Sequence, residues 1–160
     1  METEKIETTY EEPETKTRRE RLMLYAPLLI WIGVIFFLSS GQGSMSQTSR
    51  IIRPLLEFLF PTAPEETLLL YHGLIRKLAH FTEYFVLGLL AFRALANSIR
   101  LFTGTRRGVL SFGLVLLIAL LDELNQSFNP ARTGAITDVM IDLTGGLAAI
   151  LICLWLRRKV

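Results

Sequence analysis

Long apolar segments constrain this chain more than any other feature. The first runs from Leu22 to Ser39, LMLYAPLLIWIGVIFFLS, and contains no charged residue. A helix that spans a bilayer needs about 20 predominantly apolar residues, because lipid offers no partner for backbone polar groups. Composition agrees, since 51% of the 160 residues are hydrophobic and the mean hydropathy is +0.40. We therefore interpret the chain as an all-α integral membrane protein.

Three further segments are long enough to cross a bilayer although they carry charged residues. They run from Leu74 to Ala96, from Gly108 to Phe128 and from Ile136 to Leu156. The segment that ends at Phe128 is followed by Asn129-Pro130, and proline cannot continue the hydrogen bonding of a helix. With the first segment they predict a four-span membrane domain over residues 22–156.

The residues outside these spans predict two polar ends and one surface helix. Residues 1–21 are rich in Glu, Thr, Lys and Arg and cannot bury a core, so we expect a disordered cytoplasmic tail. Residues 157–160 are expected to form a basic cytoplasmic C-terminus. After the first span, a connection rich in Ser, Gly and Gln leads to Ile51–Phe60. The apolar residues of that segment, interrupted by Pro54, fit a short helix lying on the bilayer surface.

The distribution of Lys and Arg predicts the orientation of the spans, because basic loops stay in the cytoplasm. With a cytoplasmic N-terminus, the inner side holds five bases in the tail, four after the second span and three at the C-terminus. The outer side holds only Arg50, Arg53, Arg76, Lys77 and Arg132. This bias favours a cytoplasmic location for both termini.

Ionisable residues interrupt the last three spans at a similar predicted depth. Each ionised side chain that faced lipid would cost at least a few kcal/mol, so we expect these residues to face one another, a base, water or a ligand. Gly145 and Gly146, after Asp142, would let another helix approach closely. The predicted pocket faces the extracytoplasmic side and comprises Lys77, His80, Glu83 and Tyr84 in the second span, Asp122, Glu123 and Gln126 in the third, Arg132 in the loop, and Asp138 and Asp142 in the fourth.

Two stretches resemble the VanZ-like family of small bacterial integral membrane proteins. They are RKLAHFTEYFVLGLL, residues 76–90, and LLDELNQSFNPARTGAITDVMIDLTGG, residues 120–146. The stretch FFLSSGQGSMS, residues 36–46, is similar to the Ser-rich end of the family's first span. The family more often has Asn at the place of Asp142. The resemblance implies a multi-pass protein of the bacterial cytoplasmic (inner) membrane. It also implies a link to glycopeptide resistance of the teicoplanin type, through the member that gave the family its name.

Three hypotheses for the polar pocket stay open. The first is binding of an envelope component, such as the head group of an envelope lipid or a cell-wall precursor. Transport is disfavoured within one subunit, because the inner half of the third span, residues 109–121, carries no charge. The second is a membrane-embedded hydrolase or transferase acting on a phosphorylated envelope lipid, with carboxylates holding a divalent cation. Its candidate catalytic residues are His80, Asp122 and Glu123, and Arg132 would contact phosphate.

The third hypothesis is a structural charge network without a ligand, in which bases and acids of neighbouring helices simply pair. Established catalytic motifs such as HExxH, GxSxG and a phosphate loop are absent from the sequence. The single cysteine, Cys153, excludes an internal disulfide and a cysteine metal site. Nothing supports nucleic-acid binding, and the basic clusters are expected to contact anionic membrane lipids.

Overall fold

The computed structural model describes residues 17–40, 45–98, 103–128 and 136–157, and these residues form α-helices without any strand. Four of the helices are long and apolar enough to cross a membrane, and a shorter helix follows the first of them. The prediction of an all-α protein with four spans and one short additional helix is therefore confirmed. In chain order the helices are α1 (Arg18–Ser39), α2 (Met45–Leu59), α3 (Glu65–Ser98), α4 (Gly104–Ser127) and α5 (Ile136–Arg157).

Helix α1 begins at Arg18 and not at Leu22, because a capping box starts the helix inside the basic segment. The Thr17 hydroxyl accepts a hydrogen bond from the Glu20 N–H at 3.3 Å, and the Glu20 carboxylate accepts one from the Thr17 N–H at 2.9 Å. This reciprocal pair satisfies two of the donors that a helix N-terminus leaves open. Arg18, Arg19 and Arg21 therefore lie on the first helical turn.

Helix α3 is longer than the predicted second span, which began at Leu74. Its 34 residues correspond to about 51 Å at 1.5 Å per residue, whereas the hydrocarbon core of a bilayer is about 30 Å thick. Glu65 and Glu66 occupy its first turn, where negative charge is favourable next to the helix dipole. The additional turns before Leu74 carry His72 and provide the surface on which α2 packs.

Helix α2 is continuous from Met45 to Leu59, so the predicted interruption at Pro54 is wrong. Proline removes one backbone donor, but α2 is also held from outside by its contact with α3. Leu56 is buried, and the Thr48 and Ser49 hydroxyls lie within hydrogen-bonding distance of the His72 ring. Tertiary contact therefore keeps this segment helical across its proline.

A second face of α2 is apolar and exposed. Ile51, Leu55 and Phe58 follow one another at helical spacing, and all three side chains are more than half exposed. A bilayer surface would cover such a face on a short amphipathic helix. The structure therefore gives α2 one side that packs on the bundle and another side that suits lipid.

Helix α5 packs closely on α3 and α4. A Cβ atom at Gly145 would collide with the Phe81 carbonyl oxygen, and one at Gly146 would lie 2.5 Å from Val115 Cγ1. A Cβ atom at Gly88 would lie 2.6 Å from the Gly146 carbonyl oxygen. The predicted role of Gly145 and Gly146 in close helix packing is confirmed, and Gly88 is the partner that the sequence pattern did not identify.

Helix α1 packs against α3 and α4, which are themselves packed closely with α5. Its Trp31 indole N–H donates a hydrogen bond to the Glu83 carbonyl oxygen at 2.9 Å. Ile35 of α1 is completely buried against the core formed by the other spans. These contacts bring the end of α1, at Ser39, beside the polar residues of α3.

Several predictions concern residues outside the described ranges. They are the disordered state of residues 1–16, the helix stop at Asn129-Pro130, the position of Arg132 and the C-terminal residues 158–160.

Candidate functional site

His80, Asp122 and Asp142 meet in the interior of the bundle, each from a different helix. Their side chains are 9%, 1% and 3% exposed. One nitrogen or oxygen atom from each side chain lies within 4.8 Å of the other two. Within the group, His80 Nδ1 lies 3.2 Å from Asp142 Oδ1. The structure thus brings together one candidate residue from each of the last three spans.

Gln126 and Tyr84 surround this group of three. The Gln126 side-chain amide donates a hydrogen bond to Asp122 Oδ2 at 3.0 Å, and both residues are buried. Tyr84 is completely buried, and the carboxylates of Asp122 and Asp142 are its electrostatic neighbours. Its hydroxyl makes no hydrogen bond of ordinary geometry among the described residues, although the Asp122 carboxylate is close enough to interact with it. Both residues belong to the predicted set. The Gln126 amide orients Asp122, and the Tyr84 side chain lies beside both aspartates.

The group retains buried polar atoms whose hydrogen bonding is not satisfied. Within the described part of the chain, Asp122 Oδ1, Asp142 Oδ1 and His80 Nδ1 have no hydrogen-bond partner. His80 and Asp142 approach closely, but the angles are not those of a hydrogen bond. A buried polar atom without a partner costs about 1–3 kcal/mol, and more when it is charged. Native interiors rarely leave such atoms unpaired, so this group is suited to an additional bound species.

An ion pair lies next to the group and joins α3 to α5, the two helices that carry His80 and Asp142. Arg76 of α3 and Asp138 of α5 approach to 3.4 Å between Nη2 and Oδ2, and both side chains are partly buried. The predicted pocket did not include Arg76, although this residue lies four residues before His80 and therefore on the same helix face. That spacing was the signal that could have placed it in the site.

An open cavity of about 220 Å³ leads to these side chains. The end of α1 and the start of α2 contribute polar residues to its wall, namely Ser39 and Thr48, which the predicted set lacked. The Ser39 hydroxyl is buried and has no partner among the described residues. The only sequence signal for this contribution was the Ser-rich stretch at the end of the first span. The cavity is lined by Leu38, Ser39, Thr48, Ile52, Ile75, Arg76, Ala79, His80, Glu83 and Asp122.

Two predicted residues stand apart from this arrangement. Lys77 is exposed on α3 and does not line the cavity, because the adjacent Arg76 occupies the inward position. Glu123 is only partly buried, although Asp122, Asp138 and Asp142 are close enough to interact with it electrostatically. Glu123 therefore lies at the edge of the group and not at its centre.

His72 is a buried polar residue that the sequence analysis did not consider. Its Nε2 lies 3.0 Å from the Thr48 hydroxyl and its Nδ1 lies 3.3 Å from the Ser49 hydroxyl. It thereby attaches α2, one wall of the cavity, to α3. Pro64 followed by Glu65 and Glu66 was a helix-start signal, and it would have placed His72 inside the helix.

The family comparison agrees with this architecture. A family model described as VanZ/LLP1 matches residues 23–157, which include α2 to α5 and all of α1 except its first five residues. No curated protein and no solved structure matches the chain. The family match confirms the resemblance carried by residues 76–90 and 120–146, and the chain belongs to the VanZ/LLP1 family of proteins.

Proposed function

We propose that this VanZ-like membrane protein binds the polar head group of an envelope component in the cavity between α1, α2, α3 and α4. The observation that carries the proposal is the pairing of this cavity with buried polar atoms that have no partner. Asp122 Oδ1 and the Ser39 hydroxyl are both without a described partner, and both residues line the cavity. A bound head group would supply the missing hydrogen bonds.

The lining of the cavity suits an amphiphile. Arg76, His80 and Glu83 offer charged or hydrogen-bonding groups, whereas Ile52 and Ile75 offer apolar contact. At about 220 Å³ the cavity is smaller than the typical 300–1,000 Å³ pocket for a drug-sized ligand. A head group with its first carbon atoms would therefore fill it, while an acyl or isoprenoid chain would continue into the surrounding lipid.

The side of the membrane follows from the distribution of bases. The bias of Lys and Arg towards the N-terminus, the segment after α3 and the C-terminus puts the cavity near the extracytoplasmic surface. The ligand would then be a lipid of the outer leaflet or a membrane-bound cell-wall precursor. This assignment is part of the proposal and depends on the predicted orientation.

Filling the cavity tests the proposal. The full-length protein is purified in mild detergent from a bacterial host, and the amphiphiles that co-purify are extracted and identified by mass spectrometry. Ala79 lines the cavity, and the adjacent Leu78 is exposed outside it. We expect Ala79→Phe to lose a species that wild type and Leu78→Phe retain. Equal retention by both variants, or no specific species with wild type, would overturn the proposal.

The proposal extends to glycopeptide resistance. A protein that holds an envelope component at the outer surface can change its exposure to a glycopeptide. Expression of wild type and of Leu78→Phe in a susceptible strain is then expected to raise the inhibitory concentration of teicoplanin, and Ala79→Phe is expected not to. An unchanged inhibitory concentration for wild type would remove the resistance link and leave the cavity experiment as the test of binding.

A second candidate function is hydrolysis or group transfer on a phosphorylated envelope lipid. It is favoured by the three converging donor atoms of His80, Asp122 and Asp142, with Arg76 at the same cavity as a phosphate contact. The experiment is release of inorganic phosphate from phosphorylated envelope lipids in detergent with Mg²⁺ or Mn²⁺. Release by wild type and its loss in Asp122→Asn would support this candidate, and no release by wild type would exclude it for the lipids supplied.

A further inference from the structure

We infer that His80, Asp122 and Asp142 bind one divalent transition-metal cation, with Mn²⁺ and Zn²⁺ as the species that best fit these donors. The inference deepens the proposed function, since His80 and Asp122 also line the cavity assigned to the head group. A metal at this position would present an open coordination position to that cavity. A phosphate, carboxylate or hydroxyl oxygen of the head group could occupy it.

The donor atoms are already close to the spacing that a metal requires. All three lie within 4.8 Å of one another, and His80 Nδ1 is 3.2 Å from Asp142 Oδ1. With metal–ligand bonds of about 2.0–2.2 Å, neighbouring donors around an ion lie about 3–4 Å apart. Small side-chain rotations therefore close the site without any movement of the helices.

The hydrogen bonding of the group points independently to a bound cation. The carboxylate of Asp122 accepts the Gln126 amide on Oδ2 at 3.0 Å, while Oδ1 has no partner among the described residues. This division is expected of a metal ligand that is oriented through one oxygen and coordinates through the other. Asp142 Oδ1 and His80 Nδ1 face each other at 3.2 Å without a hydrogen bond of ordinary geometry, and the completely buried Tyr84 hydroxyl lies beside both aspartates.

Charge supports the same conclusion. Two ionised carboxylates in a buried site repel each other and lose hydration, so they need compensation. Arg76 at this level is engaged with Asp138, and a protonated His80, whose Nδ1 lies 3.2 Å from Asp142 Oδ1, would offset only one of the two carboxylates. A divalent cation neutralises Asp122 and Asp142 together and accepts lone pairs from all three donors.

The chemistry of the donors selects the class of metal. An imidazole nitrogen is a ligand of transition metals, whereas Mg²⁺ and Ca²⁺ prefer oxygen ligands alone. Two carboxylates with one imidazole suit Mn²⁺ and Zn²⁺, and the chain has no thiolate at this site to favour a softer ion. The site would thus hold a cation intermediate between hard and soft, with three protein ligands and at least one open coordination position.

Metal binding by the full-length protein tests the inference with the metal ion as the probe. The protein is treated with chelator in detergent, exchanged into metal-free buffer and titrated with Mn²⁺ or Zn²⁺. Stoichiometry is measured by mass spectrometry and affinity by calorimetry. We expect one ion per chain for wild type and a loss of more than tenfold in affinity for His80→Gln, Asp122→Asn and Asp142→Asn. Pulsed electron paramagnetic resonance of bound Mn²⁺ should show a nitrogen ligand that disappears in His80→Gln.

Glu123→Gln is the matched control, because Glu123 interacts electrostatically with Asp122 and Asp142 but is not one of the three donors. It should bind the ion and retain the nitrogen signal. Gln126→Leu should weaken binding about 10–100-fold, because it removes the group that orients Asp122. No metal bound to folded wild type, or equal losses in Glu123→Gln and Asp142→Asn, would overturn the inference.

The outcome is separate from that of the proposed function, because metal binding is measured without any lipid. Size-exclusion profiles of the metal-free variants establish that each is folded. Metal binding without a co-purifying amphiphile would overturn the proposed function alone. An amphiphile lost in Ala79→Phe, together with no metal in wild type, would overturn this inference alone.

Discussion

His80 Nδ1 of α3 lies 3.2 Å from Asp142 Oδ1 of α5, directly beside the closest backbone approach of the two helices. Gly145 packs against the carbonyl of Phe81, the residue that follows His80, and it lies one helical turn after Asp142. The same contact that brings the helices together therefore sets the distance between the imidazole and the carboxylate. This packing interaction therefore contributes both to stability and to the geometry of the candidate site.

Substitution of Gly145 by alanine should destabilise the protein. The new methyl group would meet backbone atoms of Phe81, which cannot move aside like the end of a flexible side chain. We expect a loss of about 1–3 kcal/mol or more, as for other overpacked interiors. Thermal unfolding in detergent measures the effect. Gly113→Ala is the control, since nothing lies within 4 Å of its added Cβ and alanine is the better helix former. Equal midpoints for the two variants would contradict the packing described here.

Asp138 and Glu123 both border the candidate site, but neutralising each of them should have a different effect on the stability of the protein. Asp138→Asn removes the partner of Arg76 from a partly buried ion pair, and we expect a loss of about 1–2 kcal/mol. Glu123→Gln removes a charge whose electrostatic neighbours include Asp122, Asp138 and Asp142. We expect its unfolding midpoint in metal-free buffer to stay equal to that of wild type or to rise. A large decrease for both variants would indicate a structural charge network in place of a binding site.

The Tyr84 hydroxyl should contribute little to the stability of the metal-free protein. It is buried without a described partner, so Tyr84→Phe removes a polar group whose hydration was lost on folding and was not replaced by a hydrogen bond. The expected midpoint of thermal unfolding is unchanged or higher. A decrease equivalent to a lost hydrogen bond, about 1 kcal/mol, would show that the hydroxyl is paired in solution.

Helix α2 should become more mobile when its attachment to His72 is weakened. Thr48→Val eliminates a hydroxyl that lies 3.0 Å from the His72 ring across two helices. Because one hydrogen bond contributes about 1 kcal/mol, we expect roughly fivefold faster amide hydrogen exchange over residues 45–59. Thr82→Val is the matched control, because among the described residues the partner of the Thr82 hydroxyl is the Leu78 carbonyl of its own helix. Faster exchange of α2 in both variants, or in neither, would contradict the proposed attachment.

The orientation of the chain can be tested with single cysteines. In a Cys153→Ala background, a cysteine at Gly134 should react with an impermeant thiol reagent in intact bacterial cells, because the predicted orientation places that loop outside. A cysteine at Thr105, which is exposed at the start of α4, should react only after the membrane is permeabilised. The reverse pattern would place the cavity on the cytoplasmic side.

The sequence predicted the fold class and the identity of most polar residues at the site. Runs of about 20 apolar residues lead to membrane-spanning helices for a local reason, namely the backbone hydrogen bonding that lipid demands. The cost of charge in lipid likewise predicted that His80, Asp122 and Asp142 would turn inward. The small residues Gly145 and Gly146 identified the face of α5 on which other helices pack.

Only the tertiary structure decided which of two adjacent ionisable residues on a helix faces the site. Successive residues of a helix point about 100° apart, so Arg76 and Lys77, or Asp122 and Glu123, cannot both face the centre of the site. The rotation of each helix about its axis is set by contacts such as Gly145 on Phe81, which join residues far apart in sequence. The contributions of Ser39, Thr48 and His72 have the same origin, because the docking of α2 on α3 is a contact between helices and not a property of either segment alone.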